Sequence, residues 1–179
     1  MIGGRSQDGR MAVSTSGARS GLSFAASQVI VGLIMNITEA LVVEHSALRR
    51  VFDQLEALLP EAESVGEVRR LAFLVEKVLE DHARSEEDLA YAALDHVLAE
   101  AGDLDQLYQD HREISGHLGK AQKARDLETA RGWLKTSLRA SREHFRREEQ
   151  SLFPLINLRL QAGMSQELAR AFSQVAAPA

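Results

Sequence analysis

Residues 64–89 read SVGEVRRLAFLVEKVLEDHARSEEDL. In this stretch Leu71, Val75, Val78, His82, Glu86 and Leu89 return at alternating steps of three and four, the spacing of one helix face. Ser64 with Glu67 three residues later is a capping box that opens the helix. Period-two alternation, the mark of a half-buried strand, is absent. The seam is odd at its end, where a histidine and a glutamate occupy places that a packed helix reserves for apolar side chains. The same six residues, HARSEE at 82–87, recur as HFRREE at 144–149, with four identities in six.

The flanking sequence repeats the pattern. A first helix is expected from about Ile37 to Leu59, with its seam at Leu41, His45, Leu48, Phe52, Leu55 and Leu59; Asn36 and Glu39 cap it and Pro60 ends it. The second continues to about Glu100, where Gly102 breaks it. Asp103 can cap a third helix with a seam at Leu104, Leu107, His111, Ile114, Leu118 and Ala121. The fourth covers roughly Leu127 to Asn157, with Leu134, Leu138, Ser141, His144, Glu148, Leu152 and Leu155 in line and Pro154 kinking or closing its last turns. After Gly163, Ser165 can cap a short terminal helix ending near Val175. Short connections between four long amphipathic helices imply an all-α, up-down-up-down four-helix bundle over residues 36–160. A C-terminal helix and tail occupy 161–179. Residues 1–35 are expected to be a flexible N-terminal extension, disordered over about the first 26, which hold Gly, Ser and Arg and little to bury. Met35-Asn36-Ile37-Thr38 reads as a natural start.

Composition narrows the function. The chain has 179 residues, 45% of them apolar and 26% charged, which suits one domain with a core that needs no disulfide. There is no cysteine, so thiol catalysis, cysteine-ligated zinc and iron–sulfur chemistry are excluded. A net charge of −5 with interspersed signs gives no footprint for nucleic acid. The longest apolar run, Val29 to Met35, is a third of what a bilayer crossing needs, and no apolar core of a secretory signal precedes it. A cytoplasmic location is expected, with no membrane or nucleic-acid partner.

The chemistry lies in the seams. Each helix puts one histidine there: His45, His82, His111 and His144. The second and fourth add Glu86 and Glu148 one turn on, because residues four apart share a face. About two-sevenths of helix positions lie on a seam, so four histidines landing there by chance is about one in a hundred, and several-fold more because the four are chosen from six. Burying an imidazole without a partner costs roughly 1–3 kcal/mol, and a carboxylate costs more. A metal centre satisfies all six. Six ligands are too many for a tetrahedral zinc but suit two ions that share both carboxylates and take two histidines each. One solvent-derived oxo or hydroxo bridge then gives five ligands per ion and one free position on each. Mixed imidazole and carboxylate ligation favours two iron ions, with manganese or zinc possible. Such a site suits a small diatomic or a peroxide and no bulky substrate.

Other residues are read as ordinary. His96 lies past the repeat and His117 lies about 120 degrees round the helix from His111. Glu87 and Glu149, about 140 degrees from the ligand histidines, are expected to pair at the surface with Arg84 and Arg146. Glu44 and Asp110 precede ligand histidines and are candidates to orient ligating imidazoles, which usually need such a partner, although neighbours on a helix diverge by about 100 degrees. Tyr91, Tyr108 and Trp133 fit core filling as well as a place near the centre.

As a set, His45, His82 with Glu86, His111, and His144 with Glu148 followed by Leu152-Phe153-Pro154-Leu155 resemble the hemerythrin-like, or HHE cation-binding, family over about residues 36–160. The resemblance implies a four-helix bundle holding a non-haem di-iron centre, with Glu86 and Glu148 as bridges and the four histidines as terminal ligands. Oxygen-carrying members have a fifth histidine one turn after the third-helix ligand, where this chain has Ser115. The four-His, two-Glu set is more similar to relatives linked to iron sensing, nitric oxide or peroxide handling, and repair of iron centres. The resemblance therefore implies a protein that binds or senses oxygen, nitric oxide or iron, or alternatively an enzyme reducing peroxide or handling nitric oxide.

Overall fold

The computed structural model describes residues 35–95 and 103–175. The expectations for the N-terminal extension, His96 and the Gly102 break lie outside these residues. All regular structure among the described residues is helical. Four long helices are present: α1 (Ile37–Leu58), α2 (Val65–Ser85), and, after the short α3 (Ala92–Asp95), α4 (Asp103–Lys123) and α5 (Leu127–Arg147). Then come α6 (Phe153–Arg159) and α7 (Ala162–Val175).

Local chemistry sets the boundaries. Both predicted capping boxes form: the Asn36 side chain accepts the Glu39 N–H while Glu39 accepts the Asn36 N–H, and Ser64 and Glu67 do the same for α2. Asp126 caps α5 by accepting the Thr129 N–H at 2.8 Å. Pro60 sits in the 3₁₀ turn Leu59–Glu61 that ends α1.

The second and fourth helices are not continuous. Each widens into a π turn that begins at its glutamate, Glu86–Tyr91 after α2 and Glu148–Leu152 after α5. Such turns, with bonds from i to i+5, interrupt α-helices mostly at functional positions. Pro154 follows the second one, within the first turn of α6, where its missing N–H costs little. The inserted residue shifts the helical phase, so Ile156 is buried where Leu155 was expected and Leu155 is only half-buried. The α2 seam also moves. Val78 is 51% exposed, and the buried stripe is Val68, Ala72, Val75, Leu79, His82 and Glu86. Val78 and Leu79 both satisfy steps of three or four from Val75 and to His82, and packing selects Leu79.

Two apolar clusters fill the interior. One joins Leu48, Phe52, Val75, Ile114, Leu118, Leu134 and Leu138; the other joins Ile37, Leu41, Leu94, Leu104, Leu107 and Ile156. The residues between them in sequence on every long helix are the polar ones. The terminal helix α7 belongs to the second cluster through Ala169 and Phe172 and packs on α1. Ser165 does not cap it: the helix starts at Ala162, and the buried Ser165 hydroxyl instead accepts the Ile37 N–H at 3.3 Å. No helix among the described residues is long and apolar enough to cross a membrane.

Candidate metal centre

The structure brings His45, His82, Glu86, His111, His144 and Glu148 together between the two apolar clusters. Five of the six are at most 4% exposed, and His111 is slightly more open. The four imidazoles turn their Nε2 atoms inward. His45 and His82 approach one oxygen of Glu86, each at 3.1 Å, while His111 and His144 face its other oxygen at 3.4 and 3.8 Å. One carboxylate thus serves two histidine pairs, one pair per oxygen. His45, His82 and Glu86 form one potential metal triad, and Glu86, His111 and His144 form the other. Glu148 Oε2 lies 3.4 Å from both His45 and His144, one histidine of each triad.

Packing orients the rings. His45 stacks on Phe145 with centroids 4.1 Å apart and on Phe153 at 5.6 Å; His111 stacks on Tyr91 at 6.0 Å.

The outer nitrogens make a closed circuit of which sequence reading offered only Glu44 and Asp110 as candidates, without their partners. His82 on α2 bonds through Nδ1 to Glu44 on α1 at 2.9 Å. His111 on α4 bonds to Glu87, just after α2, at 2.7 Å. His144 on α5 bonds to Asp110 on α4 at 3.4 Å, and His45 on α1 bonds to Glu149, just after α5, at 3.0 Å. Every histidine is held by an acid from the neighbouring helix. A carboxylate accepting from Nδ1–H leaves Nε2 as the lone-pair donor and makes it more basic, as a metal ligand requires.

Glu87 and Glu149 are therefore not surface partners of Arg84 and Arg146. Arg84 pairs with Asp81, Arg146 engages Glu143 and Gln150, and Glu149 takes a two-pronged bond from Arg49 at 2.8 and 3.0 Å. Angles measured within one helix describe the wrong partner, because each acid serves the next helix round. The sequence carried one usable signal: each acid sits next to one of the six inward-facing residues, as in Glu44-His45, Glu86-Glu87, Asp110-His111 and Glu148-Glu149.

Tyr91 was also legible only in part. It is fully buried, donates its hydroxyl to Glu148 Oε1, and meets Tyr108 edge-on at 5.4 Å. Trp133 does not approach the centre; it stacks with His117 at 5.5 Å beneath Lys120.

Electrostatics match a cation site that protons fill in the metal-free chain. Burial opposes charge on His82, but the Glu86 carboxylate and the Glu44 bond outweigh it and raise its pKa to about 10. Burial likewise opposes His144, which Glu148 and Asp110 raise to about 9. Burial would lift Glu86, yet the His82 charge and the nearby His111, His144 and His45 imidazoles hold it well below the usual carboxylate range. Burial and then the Glu86 charge push Glu148 up to about 8. Burial would raise Asp110, but bonds from His144, Gln106 and Arg147 bring it down to about 2.

The donor set fits a pair of cations. His82 Nε2, Glu86 Oε2 and Glu148 Oε2 are buried without a hydrogen-bond partner, and all three belong to the inward-facing set. Buried polar atoms rarely go unpaired unless something else binds them. A cavity of about 450 Å3 opens between α2 and α4 onto His82, His111 and His144.

A helical protein in which each long helix sends one imidazole to a shared pair of buried glutamates is a histidine–carboxylate cation-binding protein. Residues 36–170 match the family model of the hemerythrin HHE cation binding domain, and the chain belongs to that family. No curated protein and no solved structure matches the chain significantly.

Proposed function

We propose that this chain holds two non-haem irons on His45, His82, Glu86, His111, His144 and Glu148 and binds or senses a small diatomic, oxygen or nitric oxide, or iron itself. The observation that carries the reading is Glu86, whose two oxygens each face a separate histidine pair. His45 and His82 would hold one ion, His111 and His144 the other, with Glu86 and Glu148 shared between them. We read the four long helices, joined by short connections, as an up-down-up-down bundle that brings these side chains to one level.

The ions would supply redox-active Lewis acids with a position open to a small ligand. The protein's part is orientation and insulation. Glu44, Glu87, Asp110 and Glu149 hold each imidazole in the tautomer that presents Nε2, Phe145 and Phe153 hold the His45 ring, and the Tyr91 hydroxyl stays on Glu148 Oε1. Burial pushes the Tyr91 hydroxyl pKa upward, so that group remains a hydrogen-bond donor.

A second reading, an enzyme that reduces peroxide or processes nitric oxide, is favoured by the cavity that reaches three of the histidines. Metal analysis and absorption spectra before and after dithionite, then after oxygen, peroxide and nitric oxide, test both. About two irons per chain with a reversible spectral change supports binding. Turnover above that of free iron supports the enzyme. Well under two metal ions per chain after aerobic expression with iron overturns both.

A further inference from the structure

The cavity beside the centre is out of proportion to a diatomic. Its volume is about 450 Å3, whereas a water occupies roughly 30 Å3 and small-molecule pockets run from roughly 300 to 1,000 Å3. Leu79, Ile114, Leu118 and Phe145 form apolar walls, and His82, His111 and His144 form the floor. His82, 4% exposed, lines this space, and its Nε2 makes no well-formed hydrogen bond although Glu86 Oε1 lies 3.1 Å away. At the mouth stand Ala83 and the exposed Ser115. Ser115 is one helical turn from His111. Two small side chains keep the mouth clear.

We propose that this cavity seats a monoanionic organic acid of about the size of benzoate, with its carboxylate at the histidine floor and its apolar body against the walls. The proposal rests on the two-cation reading of the same site. The floor offers imidazoles and, when loaded, cations, so it recognises an anionic oxygen donor. The walls favour an apolar body. The rim holds Glu76, Glu80 and Glu87 against Arg84 and Arg112, which disfavours a second negative charge at the outer end.

The test titrates iron-loaded protein, its metal content and spectrum recorded first, with sodium benzoate, acetate and azide. Benzoate should bind saturably and at least tenfold more tightly than acetate. Ser115→Trp and Ala83→Phe, which add bulk to the cavity lining without replacing any of the six inward-facing residues, should each weaken benzoate tenfold or more while metal content and azide binding stay at the parent level. If one variant fails to fold, the other decides. Benzoate binding no tighter than acetate in metal-bearing protein overturns this proposal alone, as does a folded filled variant that binds benzoate like the parent. A chain that retains no metal overturns the two-cation reading and this proposal with it.

Discussion

Glu86 and Glu148 hold the same place in the two copies of the repeat, each four residues after a histidine and at the start of a π turn, yet their surroundings differ. Both oxygens of Glu86 face histidines, and its carboxyl is held well below the usual range. Glu148 turns one oxygen to His45 and His144 and gives the other to Tyr91; burial and the nearby Glu86 charge raise it to about 8. The residue five places after Glu86 is Tyr91, whereas the one five places after Glu148 is Phe153, which has no hydroxyl to give. The repeat places a glutamate at the same point twice; the tendency of each to ionise is set by what the other half places beside it.

The sharpest way to break this comparison is to remove each carboxylate. Glu86→Ala should abolish metal retention at both positions, since both triads use it, and Glu148→Ala should lower retention less; metal analysis after dialysis checks the order. Equal losses would remove the distinction. Next in size, Glu87→Gln and Glu149→Gln each free one imidazole from its acid and should weaken metal binding by roughly 10–100-fold, read by competition with a chelator. Glu149→Gln also breaks the Arg49 pair, so it should be the more damaging.

The metal-free protein provides a pH test. The pKa values of His82 and His144, about 10 and 9, lie above the ordinary 6.5, so their stabilisation is complete below that value and is lost as pH rises through 9 and 10. Glu148 acts in the same direction, because its raised value makes the ionised form costly as pH rises through about 8. Glu86 acts oppositely, favouring the fold above its ordinary 4.5 and losing that contribution in acid. The melting temperature of metal-free protein should fall between pH 6.5 and 10, and bound metal should flatten the fall; calorimetry at matched ionic strength decides. Smallest is Tyr91→Phe, which strands one buried oxygen of Glu148 at a cost of about 1–3 kcal/mol. Denaturant unfolding of the metal-free form measures it.

The six inward-facing residues were legible because a buried seam tolerates no unexplained polar group, so each histidine or glutamate there stood out against apolar neighbours. The acids holding the histidines were legible only in part: Glu44 and Asp110 stood out as candidates, Glu87 and Glu149 did not, and none could be assigned its partner. Glu44, Glu87, Asp110 and Glu149 look like surface residues when angles are taken round their own helix, and only the neighbouring helix reveals what each touches. The phase slips at Val78 and Leu155 have a related origin. Two adjacent apolar residues both satisfy the period, and a π turn adds a residue that no hydrophobicity pattern announces.

Local chemistry written in the chain determined the helices, their caps and the level at which imidazoles and carboxylates interrupt the core, because period, capping residue types and burial cost act within a few residues of each other. The tertiary structure alone decided which acid meets which histidine, the unequal surroundings of the two glutamates and the cavity that Ser115 lines. Those depend on distances between residues up to 104 positions apart, as for His45 and Glu149, which nothing in a linear pattern encodes.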